Sequence, residues 1–151
     1  MYLLSFIYSA CFYFEVSANE KILGKWLLIN QVDDFIKAFQ IKNTDLISKL
    51  TYNNSTVVID FNENNTFKLT FRNGKDHKKI NIRGNYFMLN NVIPNPITFS
   101  KISKIRGARH FIIKIDSVKN TLILSYGSLR KRLRPINWSK NEILNFNFVS
   151  K

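Results

Sequence analysis

The side chains that could carry out chemistry in this 151-residue sequence are few and far apart. His77 lies in a predicted turn after Asp76, and His110 begins a predicted strand. Neither stands near a serine or cysteine in a recognisable nucleophile motif. Cys11 is the only cysteine, so no intramolecular disulfide can form, and with two histidines a structural zinc site is not expected. The sequence therefore favours non-covalent binding over catalysis and predicts no cofactor.

Basic residues dominate the charged positions. The chain has 23 lysines and arginines against 10 acidic residues, a formal net charge of +13. They cluster in residues 72–83, 101–109 and 130–134, and in the last run Arg130, Arg132 and Arg134 alternate onto one face of a predicted strand. Such a face is either solvated or binds an anionic partner, such as a fatty-acid carboxylate or the headgroups of a membrane surface.

Two further observations limit what the net charge implies. The sequence holds 19 asparagines beside abundant Lys, Ile and Phe, a bias that a skewed genome produces without selection for a basic surface. It also lacks the aromatic and basic signature of a known nucleic-acid-binding fold, so nucleic acid is not the expected partner.

The first 18 residues have the pattern of a secretory signal peptide. Met1 to Phe14 is almost wholly apolar, and Val16-Ser17-Ala18 offers small residues for cleavage. The run is shorter than the roughly 18 to 20 apolar residues that a spanning helix needs. An alternative is a lipoprotein signal that ends at Cys11. Either interpretation predicts an exported protein, in the periplasm, the cell envelope or the medium, with one domain over residues 19–151.

Alternation of apolar and polar residues predicts most of this domain as short strands. The clearest run is Phe67, Leu69 and Phe71, separated by Lys68 and Thr70. Short antiparallel strands with one apolar face each are best satisfied by closing on themselves. We therefore predict an all-β fold, an eight-stranded antiparallel up-and-down β-barrel, with strands at Lys25–Gln31, Val57–Phe61, Phe67–Arg72, Lys79–Leu89, Ile97–Ser103, Arg109–Ile115, Thr121–Tyr126 and Leu129–Arg134.

Helical patterns interrupt the strands in two places. The long first connection is predicted to be partly helical, over Asp33–Gln40 and Asp45–Leu50, because the apolar residues there fall on one helical face. Near the end of the chain, the capping-box spacing of Ser139 and Glu142 predicts a short helix over Ser139–Asn145. Phe146 and Phe148 could instead alternate as a final strand.

The interior of such a barrel is the candidate ligand site. An eight-stranded barrel is just wide enough for packed side chains or for one small ligand. Residues Phe35 and Phe39, with Ile36, either close the mouth as a lid or dock a surface helix. The predicted inward residues, which form either a filled core or an apolar calyx, are Phe67, Leu69, Phe71, Ile82, Tyr86, Phe111, Ile113, Leu122 and Leu124.

Gly24 and Trp26 open the first predicted strand, where the indole could plug one end of the barrel. With the eight strands, the long first connection and the late helix, this Gly-x-Trp step resembles the lipocalins of the calycin superfamily over roughly Leu23 to Phe148. The resemblance implies that Arg132 or Arg134 packs across Trp26 by a cation–π contact. No acidic-aromatic pair matches the family's middle motif.

The resemblance implies a carrier of a small hydrophobic or amphiphilic ligand. The fatty-acid-binding branch is a neighbour, similar in Gly24-Lys25-Trp26 and in Asp34 to Phe39, but it differs by the leader, the strand count and the lack of an Arg-x-Tyr pair. The alternative function is an envelope interaction module, in which a filled barrel acts through its basic face on anionic lipid or on a protein.

Overall fold

The computed structural model describes residues 21–51, 55–74, 78–89, 95–126 and 143–151. The predicted signal peptide, Cys11 and the basic run Arg130, Arg132 and Arg134 lie outside these ranges, as does the predicted strand Leu129–Arg134. The elements, in chain order, are β1 (Gly24–Leu28), α1 (Val32–Ala38), α2 (Thr44–Leu50), β2 (Thr56–Phe61), β3 (Thr66–Arg72), β4 (Lys79–Met88), β5 (Asn95–Ser100), β6 (Arg109–Asp116), β7 (Thr121–Ser125) and β8 (Ile143–Ser150).

The strands close into one barrel in sequence order. Each strand pairs with the next, and β8 pairs back onto β1, with every pairing antiparallel. The prediction of an eight-stranded up-and-down antiparallel barrel with a partly helical first connection is therefore confirmed. Alternation explains why these segments form its wall. In β3, for example, Phe67, Leu69 and Phe71 are buried, whereas Lys68 and Thr70 are partly exposed on the other face.

The last strand is not the predicted one. The ring position between β7 and β1, which the prediction gave to Leu129–Arg134, is occupied by β8. The predicted helix over Ser139–Asn145 is wrong for residues 143–145, which belong to β8. The alternative of a final strand through Phe146 and Phe148 is confirmed. Burial of Leu144 and Phe146 against the neighbouring strands outweighs the local helix preference of a capping box.

Several strand ends also differ from the predicted ones. β1 ends at Leu28 rather than Gln31, and β5 ends at Ser100 rather than Ser103. After β5, Lys101 and Lys104 adopt positive φ angles of 48° and 65°, which no regular strand accommodates. The chain there forms a turn against β4 instead of extending the strand.

The two ends of the barrel differ in what covers them. Gly24 is paired with Phe61, the last residue of β2, so the start of β1 lies at the end opposite the helical connection. Gly24 has φ 113°, and a Cβ there would lie 2.6 Å from the Ser150 carbonyl oxygen, so this position requires glycine. At the other end, which we call the mouth, Thr56, Arg72 and Lys79 are neighbours in the ladder, beside α1 and α2.

Candidate binding site

Helix α1 and the residue that directly follows it place two phenylalanine rings inside the barrel. Phe35 and Phe39 are fully buried, and their rings stack with centroids 4.2 Å apart. Phe35 meets Phe71 edge to face at 5.5 Å, and Phe39 lies 5.0 Å from Phe111. The carboxylates of Asp33 and Asp34 in the first turn interact favourably with the positive end of the helix dipole. The buried residues fall on one face of the helix. The helix therefore inserts this pair of rings, here called the aromatic plug, among the inward side chains.

Phe99 of β5 lies at the centre of the cluster that receives the plug. Its ring centroid is 5.4 Å from that of Phe39 and 5.0 Å from that of Phe67. It also contacts the rings of Phe61 and Phe111. Neither Phe99 nor Phe61 belongs to the inward set predicted from the sequence. The alternation of Ile97 with Phe99 was the signal that could have found the first of them.

All of the predicted ligand-contacting residues belong to the buried hydrophobic core. Their role in ligand binding stays a prediction, because burial in a core and contact with a ligand require the same apolar side chains. The residues are Phe35, Phe39, Phe67, Leu69, Phe71, Ile82, Tyr86, Phe111, Ile113, Leu122 and Leu124.

Arg109, at the start of β6, ties the end of α1 to the barrel rim. Its Nε donates a hydrogen bond to the carbonyl oxygen of Phe39, and Nη2 donates to that of Gln40 at 3.4 Å. These carbonyls lie at the negative end of the helix dipole, where a cation is favourable. Burial lowers the pKa of the Arg109 guanidinium below its usual value, because the charged form loses hydration. The residue caps the helix that carries the aromatic plug.

At the end opposite the mouth, Trp26 is 3% exposed. Its Nε1 donates a hydrogen bond of 2.7 Å to the Ile22 carbonyl oxygen. Phe148 of β8 packs edge to face against the indole, with centroids 5.1 Å apart. Arg132 and Arg134, the cation–π partners that the resemblance implies, lie outside the described residues. The contact seen on Trp26 is therefore an aromatic one.

Tyr86 of β4 belongs to the same end of the barrel. Its hydroxyl donates a hydrogen bond of 3.1 Å to the Asn62 carbonyl oxygen, and its ring packs against Phe61 with centroids 5.0 Å apart. Burial raises the pKa of the Tyr86 hydroxyl above its usual value of 10.0, because the phenolate would lose hydration. The hydroxyl connects β4 to the turn between β2 and β3.

A pocket of about 500 Å³ opens at the mouth, between α2 and the start of β4. Phe71 and Ile80, cross-strand partners on β3 and β4, supply its apolar wall. Lys49 and Lys79 are exposed cations on its lining. We call this site the mouth pocket, and its lining residues are Ser48, Lys49, Ser55, Phe71, Asn73, Lys78, Lys79 and Ile80.

The mouth pocket combines apolar surface with positive charge. All the charged side chains in its described lining are lysines. Phe71 also contacts Phe35 of the aromatic plug, so the pocket and the interior cluster share a wall. Sequence reasoning singled out Phe71 but missed Lys49 and Ile80. Lys49 reaches the site only through the folding of the long first connection, which no local pattern encodes.

In the described parts of the chain, no group of three or more His, Cys, Asp or Glu side chains is placed to hold a metal ion. Among the helices described, none has the length and apolar character to cross a membrane.

Comparison of the chain with protein-family models, with curated proteins and with solved structures found no match. The fold assignment therefore rests on the strand pairing.

Proposed function

We propose that this chain is an exported, lipocalin-like barrel that binds a small amphiphilic ligand without covalent chemistry. The up-and-down ring of eight described strands supports the lipocalin-like assignment more than the ten-stranded fatty-acid-binding branch. The position of Gly24 and Trp26 at the end opposite the long helical connection supports it as well. Export is proposed from the apolar leader and the small residues before Asn19.

The mouth pocket is the observation that carries this proposal. A ligand with an apolar chain and an anionic head would lay its chain on Phe71 and Ile80 and bring its head to Lys49 and Lys79. Pockets that bind small molecules are mostly apolar with a few polar groups that fix orientation. The mouth pocket has this composition, whereas the interior is occupied by the aromatic plug.

The expected affinity is modest. Removing about 200 Å² of apolar ligand surface from water contributes roughly 5 kcal/mol at 25 cal/mol per Å². Association then costs several kcal/mol of lost translational and rotational freedom. Exposed charge pairs add about 0.2 to 1 kcal/mol each. Even with two such pairs, at most about 3 kcal/mol of net binding remains, which corresponds to a dissociation constant of several millimolar or weaker for a medium-chain carboxylate.

The test is fluorescence titration with dansylundecanoic acid, followed by competition with decanoate and with decanol. We expect saturable binding that decanoate reverses. The double variant Lys49→Gln/Lys79→Gln should weaken the binding of decanoate about three- to tenfold. The affinity for decanol, which carries no charge, should change less than twofold. The matched control is Lys37→Gln/Lys42→Gln, which removes two exposed lysines from the same helical connection but outside the pocket. Equal effects of the two variants, or absence of saturation, would contradict the proposal.

A second candidate function is supported by the aromatic plug itself. A barrel whose interior is occupied by its own phenylalanine rings can serve as an interaction module that acts through its basic surface on an anionic membrane. This candidate predicts binding to anionic vesicles that weakens steeply with salt. Replacing Arg130, Arg132 and Arg134 together by glutamine should abolish that binding, and retained binding would count against it.

A further inference from the structure

A second concave site lies on the outer wall of the barrel. It is a groove of about 600 Å³ between β3, β4 and the turn after β5. It shares no lining residue with the mouth pocket. We call it the outer groove, and its lining residues are Asn62, Thr66, Phe67, Lys68, Arg83, Gly84, Asn85, Lys101 and Ser103.

Three cations from three elements meet at the outer groove. Lys68 of β3 and Arg83 of β4 are directly opposite each other in the antiparallel ladder, on the outward face. The third is Lys101, exposed in the turn after β5. Like charges directly opposite each other across two strands destabilise a sheet. An anion held between them would remove that repulsion.

The turn that brings Lys101 to the groove is fixed to β4. The backbone N–H of Ser103 donates to the Arg83 carbonyl oxygen at 2.7 Å, and the Arg83 N–H donates to Ser103 Oγ at 2.9 Å. Lys101 itself has a positive φ of 48°, which turns the chain as it leaves β5. Two hydrogen bonds therefore join the strand that carries Arg83 to the turn that carries Lys101.

The acidic residue nearest to this arrangement in the ladder is Asp60 of β2. It is the partner of Lys68 on one side and of Lys25 on the other, so one carboxylate stands between two lysines. Among the described residues that line the groove itself, none is acidic. Arg83 and Lys101 thus add positive charge that the groove does not balance.

We propose that the outer groove binds a phosphomonoester group. A phosphate monoester carries close to two negative charges at neutral pH, and a cluster of arginine and lysine matches it. The guanidinium of Arg83 can donate two parallel hydrogen bonds to phosphate oxygens, while Lys68 and Lys101 act as point charges. Asn85 and Ser103 supply neutral polar groups in the same lining.

The experiment uses inorganic phosphate as the probe and the full chain. Calorimetry and backbone amide shifts in NMR are recorded in a buffer free of phosphate, with chloride matched for ionic strength. We expect saturable binding, with shifts concentrated at residues 66–68, 83–85 and 101–103. Shifts spread over lysines all around the barrel, or a response that chloride reproduces, would overturn the proposal.

Charge variants separate a built site from general attraction to a basic protein. Lys68→Gln/Arg83→Gln should weaken phosphate binding at least tenfold. The control Lys114→Gln/Lys119→Gln removes the same net charge from β6 and the following turn, at exposed positions, and should change binding less than twofold. Equal losses in the two variants would contradict the proposal. If the first variant does not fold, Arg83→Lys keeps the charge but not the guanidinium fork, and it should weaken binding severalfold.

Two further probes distinguish the sources of the phosphate group. Glycerol 3-phosphate in solution tests a free phosphomonoester, and vesicles with phosphatidate in phosphatidylcholine test a lipid headgroup. Binding of either one that depends on Lys68 and Arg83 supports the site and identifies the source. If neither probe binds in a way that depends on these two residues, the proposal fails, whatever the result at the mouth pocket.

Discussion

Replacing Phe39 by alanine tests whether α1 fills the barrel or only covers it. The Phe39 ring is fully buried and contacts rings from α1, from β5 and from β6, namely those of Phe35, Phe99 and Phe111. A ring in this position cannot be removed without leaving a cavity. Removing a lid residue that only covers an open calyx would create almost no cavity.

The magnitude follows from this packing. Phe→Ala in a core costs about 3 to 5 kcal/mol, and Phe39 belongs at the upper part of that range because it takes part in several aromatic pairs worth about 0.5 to 1.5 kcal/mol each. For a domain of this size, 1 kcal/mol shifts the melting temperature by roughly 3 to 6 °C. We therefore expect a loss of at least about 10 °C.

The assay is chemical and thermal unfolding of Phe39→Ala beside the control Phe87→Ala. Phe87 lies on the outward face of β4 and is 63% exposed, so its removal should change the free energy of unfolding by less than about 0.5 kcal/mol. If Phe39→Ala costs less than about 1 kcal/mol, the aromatic plug is not part of the core, and the reasoning about a filled interior is refuted.

Two other predictions concern the opposite end of the barrel. Trp26→Ala should lower the free energy of unfolding by about 3 to 5 kcal/mol, because it removes a buried indole packed on Phe148 and hydrogen-bonded to Ile22. Unchanged stability in chemical unfolding would contradict a closing role for the indole. The raised pKa of Tyr86 means that its contribution to stability is present below pH 10 and is lost as the pH rises through the folded-state pKa, because the unfolded chain ionises more readily. Tyr86→Phe should therefore remove one late-titrating phenol from the absorbance at 295 nm and flatten the loss of stability above pH 10. If the phenol lost from the curve instead titrates at or below pH 10, the raised pKa of Tyr86 is contradicted.

Period-two alternation was enough to predict most of the barrel wall. In β2 and β3, Val57, Ile59 and Phe61 face Phe71, Leu69 and Phe67 across the ladder, and all six are buried. The pattern works there because one face of each strand meets the core and the other meets water, so the sequence carries the register directly. The closed ring then follows from pairing consecutive strands.

The last strand could not be predicted with the same certainty, because two local signals conflict. Ser139 and Glu142 have the spacing of a capping box, whereas Leu144, Phe146 and Phe148 alternate with asparagines. Pairing with β7 and β1 decides between the two signals. The segment that completes the ring gains backbone hydrogen bonds on both sides and buries its apolar face in the interior. That information is tertiary and lies far away in the sequence.

The position of α1 is a second feature that no local sequence pattern predicts. The sequence shows that Phe35, Ile36 and Phe39 share a helical face, but not what that face covers. The answer depends on the width of the barrel and on Phe99, which meets the plug from β5. For the same reason the mouth pocket and the outer groove were not foreseen, since each joins residues from elements that are distant in sequence.

The most direct measurement of the proposed function is a crystal structure of the protein with dansylundecanoic acid bound. The account predicts density for the alkyl chain against Phe71 and Ile80, with its carboxylate beside Lys49 and Lys79 and with Phe35 and Phe39 still stacked inside the barrel. Density within the ring of strands, in the space those two rings now occupy and with α1 displaced, would contradict it.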